Sequence, residues 1–298
     1  MRKKRASKEQ NAEAQSTDTA IEEKQSSETP DVSELSAETS DVKASAAETP
    51  DAREPAAETP DVKASAAEKT AAERPIVIEA KQINRIFHVA GGEFQALKDI
   101  DLSIPEGTLA ILKGRSGSGK TTLLNILGAL DKPTSGKVFI DGKNVCRMSA
   151  RKREKLRRKQ MGFVFQAVSL IPTMNAYQNV EFSMRMAGIR RKRAQRVEEC
   201  LKLVGLGNRM KHMPAEMSGG EQQRVAIARA LAHRPRIIFA DEPTAELDSA
   251  MGAEVVRLFK EMCEKERVTI VMTTHDVGLM SAGDEIIELE NGQMAGGI

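Results

Sequence analysis

Residues 76–298 predict an α/β fold organised around a mainly parallel sheet, and three observations carry the prediction. From Pro75 onward, short β-branched runs alternate with longer amphipathic stretches. Two of the runs, Ile-Ile-Phe-Ala at 237–240 and Thr-Ile-Val-Met-Thr-Thr at 269–274, are almost continuously apolar, as parallel strands buried on both faces are. A glycine-rich loop ending in lysine separates a third run, 108–114, from a helical pattern, which is the strand–loop–helix order of a phosphate-binding core.

The first 75 residues stand outside this fold. They contain no aromatic residue, and from Ser26 they run in units of ten: SSETPDVSEL, SAETSDVKAS, AAETPDAREP, AAETPDVKAS and AAEKTAAERP. Most units hold one large aliphatic residue or none, the first holds two, and a proline is usual. Such a unit buries too little apolar area to offset an ordering cost of about 1–2 kcal/mol per residue, so residues 1–75 predict a disordered, low-complexity tail. The net charge of +2 hides a division, −6 in the tail against +8 in 76–298. The basic opening, Met1 to Lys8, reads as a solvated terminus.

Along the domain, 76–87 and 97–104 read as strands, 108–114 as the strand feeding the loop, and 121–130 as the helix after it. Between Gln166 and Arg236 the pattern turns almost wholly helical, which predicts a helical subdomain over about 167–235. Strands resume at 236–243, 268–276 and 284–293. The three cysteines, Cys146, Cys200 and Cys263, lack C-x-x-C spacing, so reduced thiols are expected, with neither a disulfide framework nor a zinc site. No stretch reaches the ~18–20 apolar residues of a membrane helix, and neither a membrane span nor a secretory signal is expected.

Gly114, Arg115, Ser116, Gly117, Ser118, Gly119, Lys120 and Thr121 fit the pattern G-x-x-x-x-G-K-[ST], with Thr122 opening the helix. The glycines let the loop curl so that successive N–H groups point at phosphate oxygens at a helix N-terminus. Lys120 supplies a mobile cation to the β- and γ-phosphates, and the Thr121 hydroxyl is a ligand for Mg²⁺. The strand 237–240 ends in Asp241 and Glu242, where Asp241 would hold the metal and Glu242 would orient and polarise a water. A second anion-binding helix start, Ser218-Gly219-Gly220, follows about 100 residues after the first without a lysine. One γ-phosphate does not need two cradles from one chain, so the second is expected to close on the nucleotide of another subunit, head to tail.

Together these residues resemble the ATPase subunits of ABC transporters over essentially all of 76–298. The resemblance implies a P-loop core with a mainly parallel sheet, an antiparallel β subdomain and a helical subdomain, with ATP and Mg²⁺ as ligands. It implies that Ser218, Gly219 and Gly220 touch the γ-phosphate across a dimer. It places Gln166 at the Q-loop, reaching the metal and the attacking water beside a membrane subunit. Asp248 falls at the D-loop, His275 at the switch histidine, and Phe87 where an aromatic stacks on adenine. His88, His212 and His233 keep ordinary surface or core roles.

Within that family the phrases at 96–104, 121–142, 170–180 and 217–231 look most like the lipoprotein-release and macrolide-export class, which includes a cell-division relative. This implies two ATPase subunits, expected as a homodimer, driving an integral membrane permease with a large external domain from the cytoplasmic side of the membrane. An ATPase of a non-transporting membrane complex is the alternative. Met217 in place of leucine, Ala167-Val168 after the glutamine, and the repeat tail depart from the pattern. Residues 147–159 carry eight Lys/Arg against one Glu, and 190–196 carry five more. Both stretches read as helices, either solvated or facing acidic headgroups. Without stacking aromatics or a recognition module, specific nucleic-acid binding is not expected.

Overall fold

The computed structural model describes residues 74–295, so the expectation for the tail lies almost wholly outside the described residues. The order of elements is β1 (Ile76–Val89), β2 (Gly92–Pro105), β3 (Leu109–Lys113), α1 (Lys120–Leu127), β4 (Ser135–Ile140), β5 (Lys143–Asn144), α2 (Ala150–Gln160) and β6 (Met161–Val164). There follow α3 (Ala176–Ala187), α4 (Arg193–Leu203), α5 (Gly219–Ala232), β7 (Ile237–Ala240), α6 (Ser249–Glu266), β8 (Thr269–Thr273), α7 (Val277–Met280), β9 (Glu285–Glu290) and β10 (Gln293–Met294).

Six strands form one sheet in the order β10–β9–β3–β8–β7–β6, parallel from β9 to β6, with β10 antiparallel at the edge. Four strands form a second, antiparallel sheet in the order β2–β1–β4–β5. Side chains alternate between faces along a strand, and the core divides accordingly. Leu109, Ile111, Ile238, Ala240, Ile270 and Met272 join one apolar cluster with α3 to α6. Ala110, Leu112, Ile237, Phe239 and Val271 join another with α1 and the antiparallel sheet. Both faces of the parallel sheet are therefore covered at β3, β7 and β8, which is why those strands are almost continuously apolar, whereas β9 near the edge alternates.

Between β6 and β7 the described elements are helical: α3, α4, α5 and a 3-10 turn at Pro214–Glu216. Two details fix α5 against β6. A Cβ on Gly162 would lie 2.6 Å from the Ala230 carbonyl oxygen, so only glycine lets strand and helix approach this closely. At the other end of the contact, buried His233 pairs through Nε2 with the Met161 carbonyl at 3.0 Å, and burial holds its imidazole below the ordinary histidine pKa. Ser218 caps the start of α5: its Oγ accepts from the Glu221 N–H at 3.2 Å, and its own N–H donates to Glu221 Oε2 at 2.9 Å.

Two readings need correction. The expected strands 76–87 and 97–104 are longer, because β1 and β2 meet in a hairpin that closes at Val89 and Gly92, with Gly91 and Gly92 at φ 111 and 145. Of the second basic stretch, Arg190 to Lys192 precede α4 and are not helical. Gly188 at φ 81 ends α3, and Lys192 caps α4 at φ 52, so the chain reverses between them.

Gly162→Ala is expected to lower the unfolding free energy by about 1–3 kcal/mol through overpacking against α5, measured as a fall in the urea midpoint. The Ser218 N–H bond, aided by Arg209, holds the Glu221 carboxyl below its ordinary range. A depressed carboxylate stabilises above its unfolded pKa, and that contribution is lost as pH falls through the folded value. Glu221→Gln is therefore expected to destabilise at neutral pH and to converge on the parent stability in acid, followed by denaturant titrations across that range.

Candidate functional site

Four connections leave the carboxyl ends of adjacent parallel strands, where open α/β sheets bind ligands. Gly114–Gly119 follows β3, Thr274–Asp276 follows β8, Asp241–Glu242 follows β7, and Gln166 lies just beyond β6. The sheet order β3–β8–β7–β6 sets the four side by side.

The loop after β3 is shaped by its glycines. A Cβ on Gly114, at φ 151, would fall 2.3 Å from the Leu289 carbonyl oxygen, and one on Gly119, at φ 101, 2.8 Å from the Ala96 carbonyl oxygen. Gly117, at φ 78, has nothing within 4 Å of such an atom, so its requirement is the left-handed backbone alone. The turn between β9 and β10 holds the loop from outside, with the Gly292 N–H donating to Ser118 O at 3.2 Å and the Lys98 N–H to Gly292 O at 2.7 Å. Arg115, Ser116 and Gly117 are exposed, while Thr122 sits in the first turn of α1. Lys120 is buried, and its Nζ donates to the Gly114 and Arg115 carbonyls at 2.8 and 2.9 Å. Ser118 Oγ is buried without a partner. A cradle that excludes side chains, holds an orphan hydroxyl and curls a lysine onto its own rim fits a polyphosphate.

Asp241 lies behind the cradle, 7% exposed. Its Oδ1 accepts from Thr121 Oγ1 at 3.1 Å and from Thr273 Oγ1 at 2.8 Å. Thr273 Oγ1 in turn accepts from the Glu242 N–H at 2.8 Å. Thr121 and Asp241 thus present adjacent hard oxygens suited to Mg²⁺. Among the described residues no group of three or more His, Cys, Asp or Glu could hold a metal ion. A metal held by Thr121 and Asp241 would draw its remaining ligands from phosphate and water, as Mg²⁺ commonly does.

Glu242 adopts φ 45, a left-handed conformation uncommon outside glycine, asparagine and aspartate. Its Oε2 accepts from Gln166 Nε2 at 3.2 Å and lies 3.6 Å from His275 Nδ1. Glu242, His275 and Asp248 also line one small cavity of about 160 Å³.

The structure therefore joins Lys120, Thr121, Asp241, Glu242, Gln166 and His275 into one centre. Asp248 borders it, but its carboxylate is committed as the cap of α6, accepting from the Met251 N–H at 3.0 Å. Phe87 and Ser218–Gly220 share no described hydrogen bond, ion pair or cavity with the centre. The Phe87 ring is covered by the Arg85 guanidinium, 4.3 Å from its centroid. Gly219 and Gly220 lie in the first turn of α5, close against Glu246 and Leu247. Sequence reasoning passed over Thr273, whose bridging role depends on β8 lying between β3 and β7. It also passed over Asn179, fully buried, which binds both the N–H and the carbonyl of Ile171 and so pins the segment after Gln166.

Residues 97–245 match the ABC transporter family. An uncharacterised ABC transporter ATP-binding protein of Thermotoga maritima is 44% identical over 221 residues, covering 74% of this chain and 94% of that protein. The macrolide export ATP-binding/permease protein MacB of Shewanella oneidensis is 44% identical over 217 residues, which is 72% of this chain but 33% of MacB. The dimeric post-hydrolysis structure of the ATP-binding cassette MJ0796 of Methanocaldococcus jannaschii, bound to ADP and Pi, superposes with a TM-score of 0.70 at 40% identity, covering 73% and 96% of the two chains. With the P-loop, the buried aspartate and the adjoining glutamate on neighbouring strands, these likenesses establish that the chain belongs to the ATP-binding subunits of ABC transporters.

Proposed function

We propose that residues 76–298 act as a peripheral ATPase at the cytoplasmic face of the membrane, in which two copies close on ATP and drive a separate permease. The carrying observation is the continuous set of bonds from Thr121 through Asp241 and Thr273 to Glu242, with Gln166 and His275 on the same carboxylate. Gly114 to Thr122 grips the polyphosphate, and Lys120 exchanges its loop carbonyls for phosphate oxygens. Mg²⁺ held by Thr121 and Asp241 would neutralise phosphate charge. Asp241 is committed to two hydroxyls, so the more accessible Glu242 is the group that takes a proton from water as the water oxygen attacks the γ-phosphorus and ADP leaves. Gln166 holds the Glu242 carboxylate, and exposed His275 is free to reach the γ-phosphate. Phe87 stacks on adenine, and Ser218, Gly219, Gly220 and Asp248 contribute from the opposed copy. Dimeric relatives support this pairing.

A groove of about 490 Å³ beside the Gln166 segment supports the permease reading. Phe163, Phe165, Phe182 and Met186 line it, with Arg157 and Arg229 at its polar positions. Arg229 donates to the Ser169 carbonyl just past Gln166, so a segment seated in the groove would reach the nucleotide site through a short path. The MacB likeness supports export through a permease; a cargo of lipoprotein or peptide and a permease with a large external domain extend that reading from the sequence resemblance. No described helix is long and apolar enough to cross a membrane.

Glu242→Gln is expected to lower ATP turnover by about 100-fold or more and to accumulate an ATP-bound dimer. Phosphate release and size-exclusion chromatography check this, and near-normal turnover would remove Glu242 as the base. Thr273→Val keeps the shape but leaves the Glu242 N–H and Asp241 short of a partner. It is expected to cost about 1–3 kcal/mol in denaturant titrations, with kcat falling more than KM changes.

A further inference from the structure

The basic helix α2 is built against its own electrostatics. It holds seven Lys/Arg and one carboxylate, Glu154, and none of its residues is buried. Its first turn has no acidic residue, and Ser149 makes no side-chain cap, although a helix N-terminus favours negative charge. Arg151 and Lys155, Arg153 and Arg157, and Lys155 and Lys159 stand four residues apart, where like charges destabilise a helix. Arg153 and Arg157 are tied down by donating to the Met148 and Ala129 carbonyls, and Leu156 packs on the core. Arg151, Lys152, Lys155, Arg158 and Lys159 are exposed, and among the described residues none has a carboxylate within ion-pair distance.

These cations do not stand alone. Helix α2 packs against α3, and both line the groove assigned above to the permease. Beyond the end of α3 come exposed Arg190, Arg191 and Lys192, likewise without a described ion pair. Arg157 and Arg158 line the groove itself, and Arg191 and Lys192 line a neighbouring cavity with Met184, Ala232 and Arg234, whose chain neighbour His233 lines the groove. The stretch carries no aromatic between its cations, so it lacks the stacking platform of a single-stranded nucleic-acid surface.

We infer that α2 and the Arg190–Lys192 loop form a docking surface for the anionic headgroups of a lipid bilayer. Charge complementarity carries the assignment, since each cation near an anionic leaflet adds a comparable increment of attraction. Long side chains suit such a surface, because their stems cover the helix while their heads reach the headgroups. The inference uses the permease reading only for the direction in which this side faces, and a bilayer without any permease tests it separately.

The full chain is mixed with vesicles of phosphatidylcholine alone, or of phosphatidylcholine with phosphatidylglycerol, and floated through a density gradient. Binding is expected to the anionic vesicles only and to weaken as salt is raised. The combined substitution Arg151→Gln, Lys152→Gln, Lys155→Gln and Lys159→Gln is expected to lower partitioning by at least about 30-fold with ATP hydrolysis intact. Should that variant lose its ATPase, Arg190→Gln with Arg191→Gln and Lys192→Gln gives the same reading from the second basic stretch. Equal binding to neutral vesicles, or no binding, would overturn the inference. So would loss of binding on neutralising Arg2, Lys3, Lys4 and Arg5 in place of α2, or displacement from vesicles by short duplex DNA bound through the same cations.

Discussion

Asp241 is the constraint on which the site depends. A carboxylate buried at the end of a central strand is costly unless hydrogen bonds or a cation meet it. Here two hydroxyls from two different elements meet one of its oxygens, Thr121 from the first turn of α1 and Thr273 from the end of β8. Those bonds are possible only because β8 lies between β3 and β7, so the chemistry and the sheet topology are one requirement. The same threonine passes the constraint on to the Glu242 N–H, which fixes where the neighbouring carboxylate emerges. Displacing any of the three strands would move the phosphate cradle and the glutamate apart.

A second constraint is backbone closeness around the phosphate loop. Gly114, Gly119 and Gly292 all lie where a Cβ would strike a carbonyl of β9 or β2. The loop is thus wedged between the antiparallel sheet and the last strands of the parallel one, and the two sheets meet at the nucleotide site. Arg85 adds a link of the same kind: it covers Phe87 and pairs with Asp131, just beyond α1, at 2.8 Å. An aromatic suited to a base and a helix suited to phosphates are held by one frame.

Much of this was legible in the chain. Continuous apolar runs announced β7 and β8 because both faces of a parallel sheet are buried, and Gly114–Thr121 announced its loop because few other patterns serve a polyphosphate. Strands β5 and β10, of two residues each, and β6, of four, are too short to show a period, and β6 was concealed between two helical stretches. Gln166 is uninformative in isolation and becomes specific only where its amide meets Glu242. Thr273 looked like one more β-branched strand residue, since its bridging role follows from strand order, which no local pattern encodes. Cys200 and Cys263 are free and buried, and burial pushes their thiols up to about 11 and about 12.

Helix α5 bears on the proposal that a second copy completes the site. Its capping box is closed within the chain by Ser218 and Glu221, and its body is locked to β6 by the Gly162–Ala230 approach and by His233 on Met161. A helix fixed at that contact cannot carry Ser218 across to its own phosphate loop without breaking the core that Val225, Ile227 and Ala228 share with the parallel sheet. The second anion-binding start is therefore rigidly presented rather than mobile. The segment after Gln166 is tied down as well, by Asn179 on the Ile171 N–H and carbonyl and by Arg229 on the Ser169 carbonyl.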